Sequence, residues 1–341
     1  MATTRRTDGL RGYCSYFDSG YLSRGITLIE SLRANGDNSP IYVLALDDGV
    51  ADYFARFPRE GVHVIRVGAL EAVEPGLLAV KKKRTRMEYY FTCTPLLIRY
   101  VLNQLNTPGS VAIYLDADMY FFDDPSLVVQ ALGDDSVGII EHRYPDRAAR
   151  KLAKYGRFNV GWVGFRDDVH GRAVLDWYAT QCLDWCSDTP SDGRYADQGY
   201  LNWFPDFDGV RVLPEAGFNL APWNTGRHSI TVTRDVTTQI YEVQVDGHPL
   251  VFFHAHGVRK VRNRYITAQL VYGASASRTL MREIYRPYIA HLESNERLLQ
   301  RQQVATTPVA PRGVGLRGVL SRLRKFALNS VSTLTGNSVR V

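Results

Sequence analysis

Short apolar segments alternate with helical segments through the first half of the chain, and this alternation restricts the fold more than any other feature. The expected strands are residues 13–17, 41–46, 62–67 and 111–115. Helices are expected at residues 26–32 and 96–105, where apolar residues recur at helical spacing, and the second begins just after Pro95. Strands that alternate with helices indicate a mostly parallel sheet with crossover helices, so the sequence predicts the α/β class.

The second half of the chain continues with mixed elements. A strand is expected at residues 161–165, a helix at 172–186, a hairpin or a sheet edge over 230–245 and a short strand at 250–253. The chain has 341 residues, a length that fits one large α/β domain or two small ones.

Composition supports a sizeable core, because 45% of the residues are hydrophobic and 22% are charged. We expect one domain over residues 1–301, a Pro-containing linker at 302–313 and a basic tail at 314–341.

The four cysteines do not follow a disulfide or zinc-binding pattern. Cys182 and Cys186 are four residues apart among apolar residues, and Cys14 and Cys93 are far from both. We therefore expect buried thiols in a reducing compartment. No apolar run approaches the roughly 20 residues of a membrane-spanning helix. Residues 1–12 lack the apolar segment of a signal peptide, so a cytoplasmic location is expected.

The net charge of +6 comes from the end of the chain. Residues 312–341 contain six basic residues and no acidic ones, so the rest of the chain is close to neutral and does not indicate a nucleic-acid-binding protein. Apolar residues of this tail recur at the spacing of one helical face, with basic residues over much of the remainder. Those apolar residues are Leu316, Val319, Leu320, Leu323, Phe326 and Ala327. The pattern predicts a helix on an anionic membrane surface, with a solvated tail or a helix packed on protein as alternatives.

Two acidic residues follow the buried strand at residues 111–115. Ligands of open α/β sheets bind at the carboxyl ends of strands, and Asp116-Ala117-Asp118 lies at such an end. Two carboxylates separated by one residue can share a divalent cation, and oxygen ligands suit Mg²⁺ or Mn²⁺ bridging a diphosphate. A bare Asp-x-Asp also occurs in ordinary solvated turns. The apolar and aromatic residues 119–122 favour the metal site, because uncompensated charge at the edge of the core is costly.

A second polar segment, His254-Ala255-His256-Gly257-Val258-Arg259-Lys260, follows the short strand at 250–253. His254 has the chemistry to add an imidazole ligand to the same metal, and Lys260 has the charge to bind a diphosphate. A single buried histidine is more often structural. Two histidines, a glycine and two cations within seven residues favour a site.

These two segments together resemble the retaining glycosyltransferase family 8, which has the GT-A fold and includes glycogenin and bacterial lipopolysaccharide galactosyltransferases. Residues 114–118, Tyr-Leu-Asp-Ala-Asp, and the His-x-x-Gly-x-x-Lys of residues 254–260 carry the resemblance. Residues 158–162, Phe-Asn-Val-Gly-Trp, and residues 197–202, Asp-Gln-Gly-Tyr-Leu-Asn, resemble the family's intermediate motifs in the expected order. Residues 21–25 resemble its nucleoside-binding turn.

The resemblance implies a single Rossmann-like mixed sheet flanked by helices and a role for each motif residue. Asp116, Asp118 and His254 would hold Mn²⁺ or Mg²⁺, which then acts as a Lewis acid on the leaving group. Gly257 and Lys260 would contact the donor diphosphate.

The remaining expected site residues surround the sugar and the base. Asp197 and Asn159 would orient sugar hydroxyls, Gln198 would lie near the anomeric carbon, and Tyr21 would stack on the base. Arg84 and Arg86 are placed near phosphate or donor sugar by their chemistry and approximate position. The flat aromatic Trp162 and Trp223, together with Asn224, are expected on the acceptor side, although core packing is the alternative for Trp162.

The implied activity is transfer of a sugar, with retention, from a nucleotide-sugar donor, expected to be a UDP-sugar, to a glycan or lipid-linked acceptor. The chain has Val261-Arg262 where the family has Pro-Trp, and an inverting GT-A transferase is an alternative. A catalytically inert sugar-nucleotide or glycan-binding module is another. An aspartate-nucleophile phosphatase and a nucleotidyltransferase fit less well, since the Asp pair lies far from the N-terminus and no Gly-rich triphosphate loop is found. Synthesis of a surface glycan, with the enzyme peripheral on the inner membrane face, is the expected setting.

Overall fold

The computed structural model describes residues 10–235, 240–304 and 331–340. The strands are β1 (Arg11–Phe17), β2 (Ile41–Ala45), β3 (Val62–Arg66), β4 (Val111–Leu115), β5 (Met119–Phe121), β6 (Val137–Glu141), β7 (Phe158–Arg166), β8 (Val210–Val212), β9 (Ile230–Asp235), β10 (Ile240–Val245), β11 (His248–Pro249), β12 (Phe252–His254), β13 (Arg259–Val261), β14 (Arg264–Ile266) and β15 (Ser338–Arg340). The α-helices are α1 (Leu22–Ala34), α2 (Asp48–Arg56), α3 (Val67–Val73), α4 (Pro75–Lys81), α5 (Arg86–Leu105), α6 (Ser126–Leu132), α7 (Ala149–Tyr155), α8 (Val169–Asp184) and α9 (Arg286–Arg301).

Shorter helical turns complete the chain. Three 3₁₀ turns are Asp146–Ala148, Gln198–Asp206 and Gln269–Tyr272, and a π-helical turn at Leu280–Tyr285 leads into α9.

The central sheet has seven strands in the order β3-β2-β1-β4-β7-β6-β8. Strands β3, β2, β1 and β4 are parallel, whereas β7 runs antiparallel to both β4 and β6. The sheet is therefore mixed. One apolar cluster packs α1 and α2 against one face, and a second packs α5 and α8 against the other. This arrangement confirms the α/β prediction and buries β4 completely.

Most of the expected elements are present with shifted ends, and one boundary is wrong. Helix α5 begins ten residues before position 96, and Pro95 lies inside it. Its start is set by a capping box in which the Thr85 hydroxyl accepts from the Glu88 backbone N–H and the Glu88 side chain bonds back to Thr85. The predicted hairpin is confirmed as β9 and β10, which pair antiparallel.

All four cysteines are free and buried, as expected. No helix within the described ranges is long and apolar enough to cross a bilayer. The expected amphipathic residues 316–327 and most of the expected linker lie outside the described residues. Residues 338–340 form β15, which pairs antiparallel with β14.

Candidate active site

A small two-stranded sheet brings the two polar segments together. Asp116, Ala117 and Asp118 form the turn between β4 and β5, and β5 pairs antiparallel with β12 so that Met119 lies opposite His254. The Ala255 N–H donates to the Asp118 carbonyl at 2.9 Å. Backbone pairing therefore fixes His254 beside the aspartates, although 136 positions of sequence numbering separate it from Asp118.

His254 faces both carboxylates through one ring nitrogen. Its Nε2 lies 3.0 Å from Asp118 Oδ1 and 3.5 Å from Asp116 Oδ2. Asp118 and His254 are buried, at 9% and 2% exposed. The Tyr114 hydroxyl donates to the other oxygen of Asp116 at 2.9 Å. The expected ligands Asp116, Asp118 and His254 thus lie together around one point.

Burial and charge act in opposite directions on these groups. Burial disfavours the charged imidazole, but the charges of Asp118 and Asp116 outweigh it and raise the pKa of His254. Burial likewise opposes ionisation of Asp118, yet the charge of His254 and its hydrogen bond hold the Asp118 pKa well below its usual range. Burial raises the pKa of Asp116. A divalent cation at this point would take the place of the imidazolium proton as partner of the carboxylates.

The other ring nitrogen of His254 is held by Asn159. His254 Nδ1 lies 3.3 Å from Asn159 Oδ1, which also accepts from the Gly161 backbone N–H at 3.1 Å and from Asn219 Nδ2 at 3.2 Å. A backbone N–H can only donate, so the Asn159 atom that it contacts is the amide oxygen. This oxygen therefore also accepts from Nδ1–H of His254. Nε2 is then the nitrogen left to bind a metal.

Gly161 leaves the space that this contact needs. A Cβ at position 161 would lie 2.7 Å from both Asn159 Oδ1 and His254 Nδ1. The sequence motif contained this glycine, but only the tertiary contact shows its steric role.

His256 is a further candidate ligand, which the sequence analysis did not assign. Ligand atoms of Asp118, His254 and His256 all lie within 4.8 Å of one another. The exposed His256 and the left-handed Gly257, at φ +71°, follow β12 in a turn. The signal for His256 was its presence two residues after His254, since alternate residues of an extended segment share a face.

Asp197, Gln198 and Asn159 form a polar group beside the metal ligands. Asn159 Nδ2 donates to Gln198 Oε1 at 3.1 Å, and Gln198 Nε2 donates to the Tyr155 carbonyl at 2.9 Å. Asp197 is 1% exposed, and burial raises its pKa to about 7. Its Oδ2 has no hydrogen-bond partner among the described residues. An orphaned buried oxygen beside an open cavity suits a ligand hydroxyl.

Two cavities meet at Asp116, His254 and His256, which line both of them. The first, of about 240 Å³, is lined by Tyr21, Tyr16, Tyr90, Met87 and the Asp116–Asp118 turn. The second, of about 330 Å³, contains Asp197, Gln198 and Asn159, and both cavities include Asp116, His254 and His256. A ligand with two parts can therefore extend to either side of one metal position.

Aromatic side chains form much of the second cavity. They are Tyr16, Phe91, Tyr144, Tyr155, Tyr195, Trp223 and Tyr272. The Lys151 ammonium lies 4.5 Å from the centre of the Tyr272 ring. Trp223 lines this cavity, and its predicted position on the acceptor side stays a prediction. Trp162 is 1% exposed and packs against Gly138 and Gly164, and Asn224 bonds only to backbone groups, so neither lines these two cavities.

The expected basic residues lie further from the metal ligands. Arg84 donates to the Leu183 carbonyl at 2.7 Å and contacts Thr92, which ties α5 to α8. Arg86 pairs with Asp18 at 2.8 Å, at the edge of the first cavity. Lys260 donates to Glu293 at 2.6 Å and to Glu296 at 3.0 Å. Of these three basic residues, Arg86 is the one that pairs with a residue lining the first cavity, namely Asp18.

The comparisons with known proteins identify the fold. No protein-family model matches the chain. Two uncharacterised proteins of Bacillus subtilis strain 168 are similar to it. YfnF is 29% identical over 290 residues, covering 82% of this chain and 92% of YfnF, and YfnD is 28% identical over 269 residues, covering 78% and 83%.

Among solved structures, an active-site variant of LgtC is similar at 16% identity with a TM-score of 0.50, covering 83% of this chain and 95% of LgtC. The chain therefore has the GT-A fold, with a central mixed sheet flanked by helices.

Proposed function

We propose that this chain is a metal-dependent glycosyltransferase that moves a sugar from a nucleotide-diphosphate donor to a glycan or lipid-linked acceptor. The observation that carries the proposal is the position of His254 Nε2 between Asp118 and Asp116, at the meeting point of two cavities. LgtC, which shares the fold, is a galactosyltransferase that has been solved with donor and acceptor sugar analogues. Mixed carboxylate and imidazole ligands fit Mn²⁺ or Mg²⁺ bridging a diphosphate.

Each side of the site has a role in this proposal. The nucleoside of a UDP-sugar occupies the cavity of Tyr21, with Arg86 and Gly257 towards its phosphates. Asp116, Asp118 and His254, with His256 as a further ligand, would hold the metal. When bound, the metal supplies Lewis-acid stabilisation of the leaving diphosphate. Asp197 and Asn159 bond hydroxyls of the donor sugar, which removes the unpaired state of Asp197 Oδ2.

We place the acceptor in the aromatic cavity. Trp223 and Tyr272 line this cavity, and aromatic side chains suit the apolar faces of sugar rings. Gln198 lines the same cavity, and we propose that it lies beside the reacting carbon. Retention, as in glycosyltransferase family 8, is our proposal for the stereochemistry.

The buried Asp197 supplies the alternative to retention. The carboxylates that line the second cavity are those of Asp116 and Asp197. Burial raises the pKa of Asp197 to about 7, which suits a general base. NMR of the product separates the two mechanisms. An α-linked product from an α-donor supports retention, whereas a β-linked product would assign Asp197 as the base of an inverting enzyme.

The activity itself is tested by nucleoside diphosphate release. We expect release from one member of a UDP-sugar panel, dependent on Mn²⁺ or Mg²⁺ and increased by an acceptor glycan. Donor binding without release under any acceptor condition would instead identify a binding module. Release of inorganic phosphate would identify a phosphatase.

We also propose a cytoplasmic enzyme that reaches an anionic membrane surface through residues 316–327. Truncation after Pro311 would also remove β15, which pairs with β14. A sharper variant replaces Arg317, Arg322, Arg324 and Lys325 with Gln in the full chain. Vesicle sedimentation equal to that of the unmodified chain would exclude the tail as an anchor.

A further inference from the structure

A second large cavity lies apart from the site, between α9 and the β14–β15 pair. Its volume is about 760 Å³, and it shares no lining residue with the two cavities at the metal ligands. Five arginines line it, and we call it the arginine groove. They are Arg264, Arg286, Arg297, Arg301 and Arg340.

The fold brings these arginines together from three separate segments. Arg286, Arg297 and Arg301 lie on one face of α9, since they are separated by eleven and four residues. Arg264 of β14 lies directly opposite Arg340 of β15 in the strand register. Like charges directly opposite on neighbouring strands are destabilising, so an anion bound between or above these two arginines would relieve their repulsion.

The described part of the chain supplies little negative charge to the groove. Glu293 is the one acidic lining residue, and its carboxylate already accepts from Lys260, Tyr265 and Arg297. Arg264 donates to the Ser338 hydroxyl at 3.2 Å. Arg286, Arg301 and Arg340 make no ion pair within the described part of the chain. Residues 305–330 contain no Asp or Glu in the sequence, so they bring no carboxylate to neutralise the groove.

We propose that the arginine groove binds phosphate groups of a ligand outside the active site. Five arginines against one glutamate leave an excess of four positive charges. Each phosphate monoester carries about −1.5 to −2 at neutral pH, so two phosphate groups match that excess. The planar guanidinium bonds phosphate oxygens in bidentate geometry, which explains why the cations here are arginines. Phospholipid headgroups and soluble polyphosphates both present phosphate oxygens to such a site, although a phosphodiester headgroup carries a single negative charge.

The test uses the full chain and two probes, inorganic tripolyphosphate by calorimetry and mixed phosphatidylcholine–phosphatidylglycerol vesicles by sedimentation. The groove variant is Arg286→Gln/Arg301→Gln/Arg340→Gln. The matched control is Arg56→Gln/Arg66→Gln/Arg211→Gln, which removes the same charge from exposed positions on α2, β3 and β8. We expect the groove variant to bind at least roughly tenfold more weakly than the control, because charge-assisted bonds at a converged site are lost.

The two probes identify the source of the phosphate. Binding of tripolyphosphate that the groove variant loses indicates a soluble ligand, and loss confined to vesicles indicates lipid headgroups. Equal binding by the groove variant and the control, or no binding of either probe by the full chain at physiological salt, would overturn the proposal. Single variants Arg286→Gln and Arg340→Gln, both at exposed side chains, keep the test decisive if the triple variant unfolds. Since neither readout involves sugar transfer, the result is independent of the proposed activity.

Discussion

His254 and Asn159 are joined through the ring nitrogen that faces away from the carboxylates, with Nδ1 3.3 Å from the Asn159 amide oxygen. This contact orients the imidazole so that Nε2 points to Asp118 and Asp116. Asn159 also donates to Gln198. One amide therefore connects the metal ligands to the group that we propose beside the reacting carbon.

Replacing Asn159 tests this connection. Asn159→Ala is expected to weaken Mn²⁺ binding by about 10–100-fold, because the imidazole loses the partner that fixes its orientation. Calorimetric titration of Mn²⁺ measures the effect. Asn219→Gly is the control: it removes a donor to the same oxygen and suits the left-handed backbone of this position, at φ +62°, so a smaller effect is expected. Equal affinity in the Asn159 variant and the unmodified chain would show that the contact does not orient His254.

The metal site is tested directly at Asp118. Asp118→Asn is expected to lower turnover by about a hundredfold or more, because the leaving diphosphate loses its counter-charge. Mn²⁺ should raise the melting temperature of the unmodified chain but not that of the variant, since a ligand stabilises only the state that binds it. Asp52→Asn, an exposed carboxylate on α2, should retain both properties. Full activity in excess chelator would refute metal dependence.

Gly161 is expected to tolerate no side chain. In Gly161→Ala the new Cβ meets Asn159 Oδ1 and His254 Nδ1, so stability should fall by about 1–3 kcal/mol, as overpacking of a close-packed interior does, and Mn²⁺ affinity should fall with it. Gly68→Ala on α3 is the matched control, because an added Cβ there meets nothing within 4 Å. Denaturant unfolding of both variants measures the difference. Identical unfolding curves would contradict the steric role.

Asp197 should make stability depend on pH between its unfolded and folded pKa values. Burial raises its pKa to about 7, so the folded chain keeps the proton that the unfolded chain releases near pH 4. Stability from this group is thus lost as pH rises from about 4 to about 7. Asp197→Asn removes this loss. The free energy of unfolding of the variant should therefore rise, relative to that of the unmodified chain, by on the order of 4 kcal/mol between pH 4 and pH 7.

Denaturant unfolding in metal-free buffer at several pH values measures the Asp197 effect. The difference between the two proteins should be constant below and above the window. A difference that does not change with pH would show that Asp197 is ionised in the folded state throughout.

The residue pattern by itself determined the α/β class and the positions of most strands, and it predicted Asp116, Asp118 and His254 as metal ligands, which lie together in the structure. Strand β4 reads as buried because five consecutive residues are apolar or aromatic, and Asp116 and Asp118 follow it directly. A local residue pattern of this kind predicts the element correctly, because the strand and its burial depend on residues that are neighbours in the sequence. The sequence predicts a helix that begins just after Pro95, whereas the capping box of Thr85 and Glu88 sets the start of α5 at Arg86.

Tertiary structure alone decided which distant residues share a function. Pairing of β5 with β12 brings His254 to Asp118. Strand β7 places Asn159 in contact with the imidazole of His254. Pairing of β14 with β15 sets Arg340 opposite Arg264. It also showed that Trp162 belongs to the core and that Lys260 is held by Glu293. Register and side-chain direction across such long separations depend on packing of the whole chain, which no local pattern encodes.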